Sequence, residues 1–384
     1  MSLFLLIFFF LYGALHVHAF LKVRAAFDVG ARAGLALALF FILMVLAPVI
    51  VRQAENAGLE VLARITAYAG YFWMGIIFLF FSSSLLTDLY RLLVYLGSSM
   101  LHKDLSSFIL SAKSAFLIPL LISLGVSAYG YWEARDIRTE HLTIGTEKLP
   151  HDVERIRIVQ ISDVHLGLIV RTERLGLILE KVKESNPDVL VSTGDLVDGQ
   201  INGLEGLAEM LREIKPRYGK FAVLGNHEYY AGLKQALAFK KAAGFIVLRA
   251  EGVNVDNVIT LAGVDDPAGK YFNAYDASAE KTLLTSFPRD RFVVLLKHRP
   301  LIDKDSVGLF DLQLSGHVHK GQIFPFSILT HLYYPKYAGL LNVNGSLLYV
   351  SRGSGTWGPP IRFLATPEVT VIDIVRSHER KAPY

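Results

Sequence analysis

Two rhythms of apolar positions divide this chain. In the first third, residues 3–20, 33–51, 67–86 and 115–132 form apolar runs without the polar stripe of a surface helix. A bilayer crossing takes about 20 such residues, so the pattern predicts four transmembrane helices. The first run lacks a basic leader and is longer than a signal-peptide core, and three more spans follow it. It is therefore expected to be a retained helix. His16 and His18, two apart near its end, point in different directions on a helix and are expected at the membrane interface, beside aromatic belts that include Tyr68, Tyr71 and Trp73.

The rhythm shortens after residue 133. A polar connector is expected over 134–150. Residues 155–161 then read as a strand, 173–185 as a helix with Leu175, Leu179 and Val182 on one side, 189–191 as a strand, 204–214 as a helix and 221–224 as a strand. Short apolar runs at 258–262, 292–296, 312–314 and 348–351 follow. Alternating strands and helices predict a sheet flanked by helices, and the later strands predict a second sheet against it. The expected organisation is a four-helix transmembrane domain over 1–133, a linker over 134–150 and an α/β domain over 151–384.

Polar islands interrupt the second half where apolar runs end: Asp163-Val164-His165, Gly194-Asp195, Gly225-Asn226-His227-Glu228, Lys297-His298 and Gly316-His317-Val318-His319. Carboxylate, amide oxygen and imidazole together suit hard and borderline divalent cations. Asp163 and His165 leave one strand and can turn toward one ion. Asp195 can bridge two ions, Asn226 adds an oxygen without charge, and His298, His317 and His319 complete the shells. Two ions clamp a phosphate, withdraw charge from phosphorus and acidify a water. His227, adjacent to a ligand, is placed to protonate a leaving oxygen. Asp198 and Glu228 read equally as supports for a histidine or as loop carboxylates. Turn chemistry accounts for Asp265 and Asp266.

These blocks resemble the calcineurin-like metallophosphoesterase family over approximately residues 155–375. The resemblance implies a four-layer fold with a β-sandwich core. It also implies that Asp163, His165, Asp195 and His319 hold one ion, that Asp195, Asn226, His298 and His317 hold the second, and that His227 assists catalysis. The usual metals are manganese, iron and zinc. Within the family the chain is similar to the membrane-linked branch, including hydrolases of UDP-2,3-diacylglucosamine. The block from Ser351 to Arg362 resembles that branch's ending. Its glycine amides can approach an anion, and Arg352 and Arg362 suit a phosphate. Aromatic residues across 324–341 suit a bilayer or an acyl chain, or equally a lid packed over the core.

Composition narrows the function further. Net charge is +4 without a dense Lys/Arg block, which excludes nucleic acid as the expected partner. There is no cysteine, so disulfides and thiolate metal sites are excluded. The expected protein is an integral protein of the cell's inner membrane that hydrolyses a phosphodiester or pyrophosphate in a lipid-linked substrate. Alternatives are a tethered phosphatase for soluble substrates and a non-catalytic receptor. Positive charges divide six to five between the two sets of loops, which leaves the membrane face of the soluble domain open.

Overall fold

The computed structural model describes residues 3–199 and 203–377. Contacts group the described residues up to Trp132, with Gly358–Phe363, in one compact unit. Glu133–Trp357, with the residues from Leu364 on, forms a second.

The first unit consists of α1 (Leu3–Ala26), α2 (Ala31–Asn56), α3 (Glu60–Leu101) and α4 (Ala112–Glu133). All four are long and apolar enough to cross a membrane. Pro48 and Pro119 lie inside α2 and α4, as apolar helices tolerate. α3 departs most from expectation. Its 42 residues, at 1.5 Å each, reach roughly 63 Å, about twice a bilayer's hydrocarbon thickness. The apolar run falters at Ser82–Ser84 and Asp88, but no proline or glycine stops the helix there, so it continues to Leu101. His16 and Trp73 also face inward. They pack with Tyr12 and Phe41 inside the unit. Ile361 and Arg362 join the same unit, fully buried. A Cβ added to Gly75 would lie 2.6 Å from Ile361 Cδ1, and one added to Gly130 would lie 2.7 Å from the Arg362 carbonyl oxygen.

The second unit is built from alternation. Ile156 and Ile158 of β2 (Arg155–Ile161) face one way and Val159 and Ile161 the other, so β2 is buried on both sides. β1 (Arg138–Thr146) lies inside the stretch expected to be a linker. It pairs in parallel with β12 (Glu368–Arg376), a strand the earlier reading omits although Val369, Val371, Ile372 and Ile374 are apolar. With β3 (Val189–Ser192), β4 (Lys220–Ala222) and β5 (Ile246–Val247) they form a sheet ordered β1-β12-β2-β3-β4-β5. The second sheet contains β6 (Glu251–Val255), β7 (Ile259–Gly263), β8 (Phe292–Leu296), β9 (Leu312–Ser315), β10 (Gly339–Val343) and β11 (Ser346–Val350), in the order β10-β11-β9-β8-β7-β6.

Side chains from both sheets, among them Ile158, Val191, Leu261, Val294 and Leu314, fill the space between them. α5 (Thr172–Glu184), α6 (Glu205–Arg212) and α8 (Leu233–Ala242) cover the outer face of the first sheet. α9 (Ala279–Thr285) covers the second through Leu284. The expected four layers are present. Two further helices, α7 (Asn226–Ala231) and α10 (Phe326–Tyr333), follow the polar islands.

Candidate metal centre

Every island leaves the C-terminal end of a strand. Asp163 and His165 follow β2, Asp195 follows β3, Asn226 follows β4 and opens α7, His298 follows β8, and His317 and His319 follow β9. Both sheets therefore deliver ligands at one edge of the sandwich, as open α/β sheets do.

The backbone bends sharply to aim them. Asp163, His165, Asp195, His317 and His319 have φ of 52°, 55°, 49°, 73° and 47°. That left-handed region costs an L-residue roughly 1–2 kcal/mol, so the surroundings must enforce it. They do so through the His165 N–H to the Asp195 carbonyl (3.0 Å) and the His317 N–H to Asp163 Oδ2 (2.9 Å). Two glycines are required by close approach. A Cβ on Gly225 would sit 2.1 Å from Asp195 Oδ1, and one on Gly316 would sit 1.9 Å from Ser162 Oγ.

Glu228, which the sequence alone leaves open between support and loop carboxylate, is a support. It is fully buried and accepts the backbone N–H groups of Asp195 (3.0 Å), Leu196 (2.8 Å) and Gly225 (2.6 Å). Its countercharge is Lys240, also fully buried, at 3.1 Å. One carboxylate thus ties the loop after β3 to the loop after β4. No sequence signal marked Lys240, which stands 12 residues away on α8.

The ligand atoms converge. Asp163, His165 and His319 form one group and Asp195, His298 and His317 a second. His165, Asp195 and His227 form a third, and within each group the atoms lie within 4.8 Å of one another. Asn226 Oδ1 is 3.3 Å from His298 Nε2. His298 Nδ1 donates to the Thr193 carbonyl at 2.8 Å, which leaves Nε2 as its ligating atom. His227 Nδ1 is 2.7 Å from Asp198 Oδ1, which orients that ring.

The polar atoms fit cations better than one another. Nε2 of His165 and of His319 face each other at 3.1 Å, as do His317 Nδ1 and His298 Nε2, and His165 Nδ1 is buried without a hydrogen bond. Burial pushes the Asp163 carboxyl up to about 6, while burial and the nearby His227 push His165 down to about 4. Burial opposes protonation of His298 and His227, yet Asp195 and its neighbouring carboxylates outweigh it and raise them to about 10 and 9. Burial and His298 hold His317 well below its usual range. Adjacent groups are thus driven in opposite directions within one tightly interacting cluster. Its nitrogen and oxygen donors, with no thiolate, suit manganese, iron or zinc.

The C-terminal block has a different task from the one expected. Ser354 N–H donates to the Ser162 carbonyl (2.7 Å) and Gly355 N–H to that of Asp163 (3.0 Å), so these amides brace the first island rather than meet an anion. Arg352 pairs with Glu140 and, at 2.6 Å, with Glu368. Arg362 is buried in the helical unit, its N–H bonded to the Gly130 carbonyl at 2.9 Å. Trp357, half exposed, stands edge-on to His227 at 5.8 Å.

Comparisons with known proteins agree with this geometry. Residues 156–321 match the family model described as calcineurin-like phosphoesterase. An uncharacterized metallophosphoesterase of Aquifex aeolicus is 42% identical over 258 residues, covering 66% of this chain and 98% of that protein. A zebrafish (Danio rerio) transmembrane protein with metallophosphoesterase domain is 33% identical over 67% of this chain and 62% of its own length. A Bacillus subtilis uncharacterized metallophosphoesterase is 33% identical over 64% of this chain and 87% of its own. With four membrane-length helices ahead of the sandwich, this chain is a transmembrane member of the calcineurin-like metallophosphoesterase family.

Proposed function

We propose that the chain hydrolyses a phosphodiester or pyrophosphate bond in a lipid-linked substrate, of which UDP-2,3-diacylglucosamine is one example, at the surface of the cell's inner membrane. The observation that carries the hydrolase reading is the convergence of seven donors from two sheets on one edge. Asp163, His165 and His319 would hold one cation. Asp195, Asn226, His298 and His317 would hold another, with Asp195 between them. When bound, two such cations, manganese in the first instance, neutralise phosphoryl oxygens and acidify water. The protein's own part is positional. His227, its Nδ1 fixed by Asp198, keeps Nε2 for the substrate and delivers a proton from there to the leaving oxygen.

A second feature supports a lipid-linked substrate. None of the eight residues of α10 is buried, although Phe326, Ile328, Leu329, Leu332 and Tyr333 are large and apolar. Tyr334, next in sequence, stands edge-on to His317 at 5.7 Å. An apolar surface reaching the metal centre suits acyl chains or the bilayer boundary.

The test compares two substrates with the full chain in detergent and Mn²⁺. Higher kcat/KM on a micellar lipid diphosphate than on bis(p-nitrophenyl) phosphate is expected. Equal or reversed preference would transfer the reading to a soluble substrate. Fewer than about one bound ion per chain, with no turnover, would favour a non-catalytic binding domain.

A further inference from the structure

Arg299 directly follows the ligand His298, and no argument so far has used it. Its guanidinium is fixed by one carboxylate. Nε donates to Asp266 Oδ2 at 2.7 Å and Nη2 to Oδ1 at 3.1 Å. Asp266 is itself immobile: its side chain is fully buried, and Oδ1 also accepts the Ala268 N–H at 2.8 Å. The turn chemistry expected of Asp266 is therefore half of its role. Asp266 takes two of the five guanidinium N–H groups, and the arginine side chain keeps a quarter of its surface exposed.

What surrounds that guanidinium indicates its use. The Tyr334 side chain is hydrogen-bonded to it, and Tyr230 lies close enough to feel its charge. These two tyrosines stand edge-on to His227 and to His317, each at 5.7 Å. Arg299, next in sequence to His298 and bonded to the tyrosine that packs on His317, thus lies beside the ligand groups. The guanidinium N–H groups that Asp266 does not take, on a side chain a quarter exposed beside the ligand groups, suit an oxyanion. The fork of an arginine already held in place also loses little freedom when it binds one.

We propose that Arg299, held by Asp266 and flanked by Tyr230 and Tyr334, binds a non-bridging phosphoryl oxygen of the substrate beside the metal centre. The proposal rests on the phosphoester reading above. The competing role is purely structural: Arg299 and Asp266 would only pin the loop after β7 to the loop after β8.

The test uses the full chain in detergent, loaded with Mn²⁺, with inorganic phosphate as the calorimetric probe. Arg299→Gln should weaken phosphate binding roughly 10- to 100-fold, as loss of a charge-assisted hydrogen bond does, and raise KM for bis(p-nitrophenyl) phosphate similarly. Its kcat and Mn²⁺ content should stay near wild type, while its Tm should fall because Asp266 is left as a buried, unpaired carboxylate, a loss that Arg299→Lys avoids by keeping the countercharge. Arg299→Lys keeps the charge without the fork and should fall between. Asp266→Asn should weaken phosphate less than Arg299→Gln. Unchanged phosphate affinity in Arg299→Gln would overturn the proposal, as would a loss that tracks Tm or metal content in both arginine variants. Should the wild-type chain bind Mn²⁺ and phosphate yet turn over no ester, the hydrolase reading fails, while the phosphate affinities still decide the role of Arg299.

Discussion

Both units bury histidines, and they treat them oppositely. In the helical unit His16 is completely satisfied. Its Nδ1 donates to the Tyr12 carbonyl at 2.8 Å, and its Nε2 accepts from Trp73 Nε1 at 2.9 Å. His18 Nε2 meets Ser84 Oγ at 2.7 Å, and Lys22 pairs with Asp88. In the sandwich unit, by contrast, His165 and His319 turn nitrogens on each other at 3.1 Å, and His165 Nδ1 has no hydrogen bond. Satisfied polar groups join helices where water is absent. A buried imidazole nitrogen without a hydrogen bond, among imidazoles that meet nitrogen to nitrogen, marks a place prepared for something else.

The sharpest way to break that contrast is to remove ligands. Asp195→Asn or His317→Ala should lower kcat/KM on an aryl phosphodiester by 10³-fold or more, on the order of losing a main source of transition-state stabilisation. Both variants should still fold, and His317→Ala should survive or gain stability without metal because a crowded donor has been relieved. Near-native turnover by either purified variant would defeat the assignment. Next in size is the clamp beneath the site. Glu228→Gln keeps the shape but leaves Lys240 as a buried, unpaired charge, which should cost about 3–5 kcal/mol. Calorimetry should register a large fall in Tm, and Glu228→Gln combined with Lys240→Met should recover much of it. A single variant as stable as wild type would show that the buried pair does not hold the two loops.

The same contrast explains what the sequence revealed. Ligands were legible because their islands sit where apolar runs stop, three of them opening on a glycine, of which Gly225 and Gly316 are demanded by the close approach of Asp195 and Ser162. The strands were legible where both faces are apolar, as in β2, β3 and β8. Partners distant in sequence were not. Lys240 sits 12 residues after Glu228, and Arg299 comes 33 residues after Asp266, so nothing local announces either pair. β1 was read as linker because its side chains are mostly polar, and only its pairing with β12 makes it a strand. α3 was cut short because hydropathy marks where a bilayer ends, not where a helix does. The partners of His16 were illegible for a related reason. Spacing says which way a side chain points along its own helix but not which helix lies there.

The smallest expected effect tests the other side of the comparison. If His16 serves only to join α1 to α3, replacing it should disturb stability and leave chemistry alone. His16→Leu removes the acceptor of the Trp73 indole N–H. Interhelical hydrogen bonds in membranes contribute about 0.6 kcal/mol on average and up to roughly 1.7 kcal/mol, so the loss should be small. A double-mutant cycle with Trp73→Phe isolates it, since each single change removes the bond and the pair cannot remove it twice. Unfolding followed by circular dichroism in detergent should give a coupling in that range, with hydrolysis within about two-fold of wild type in all three variants. A near-zero coupling would mean that the bond seen between His16 and Trp73 contributes nothing to holding the helices. A large loss of hydrolysis with little loss of stability would contradict the division itself, because a fully satisfied histidine would then be serving the metal centre.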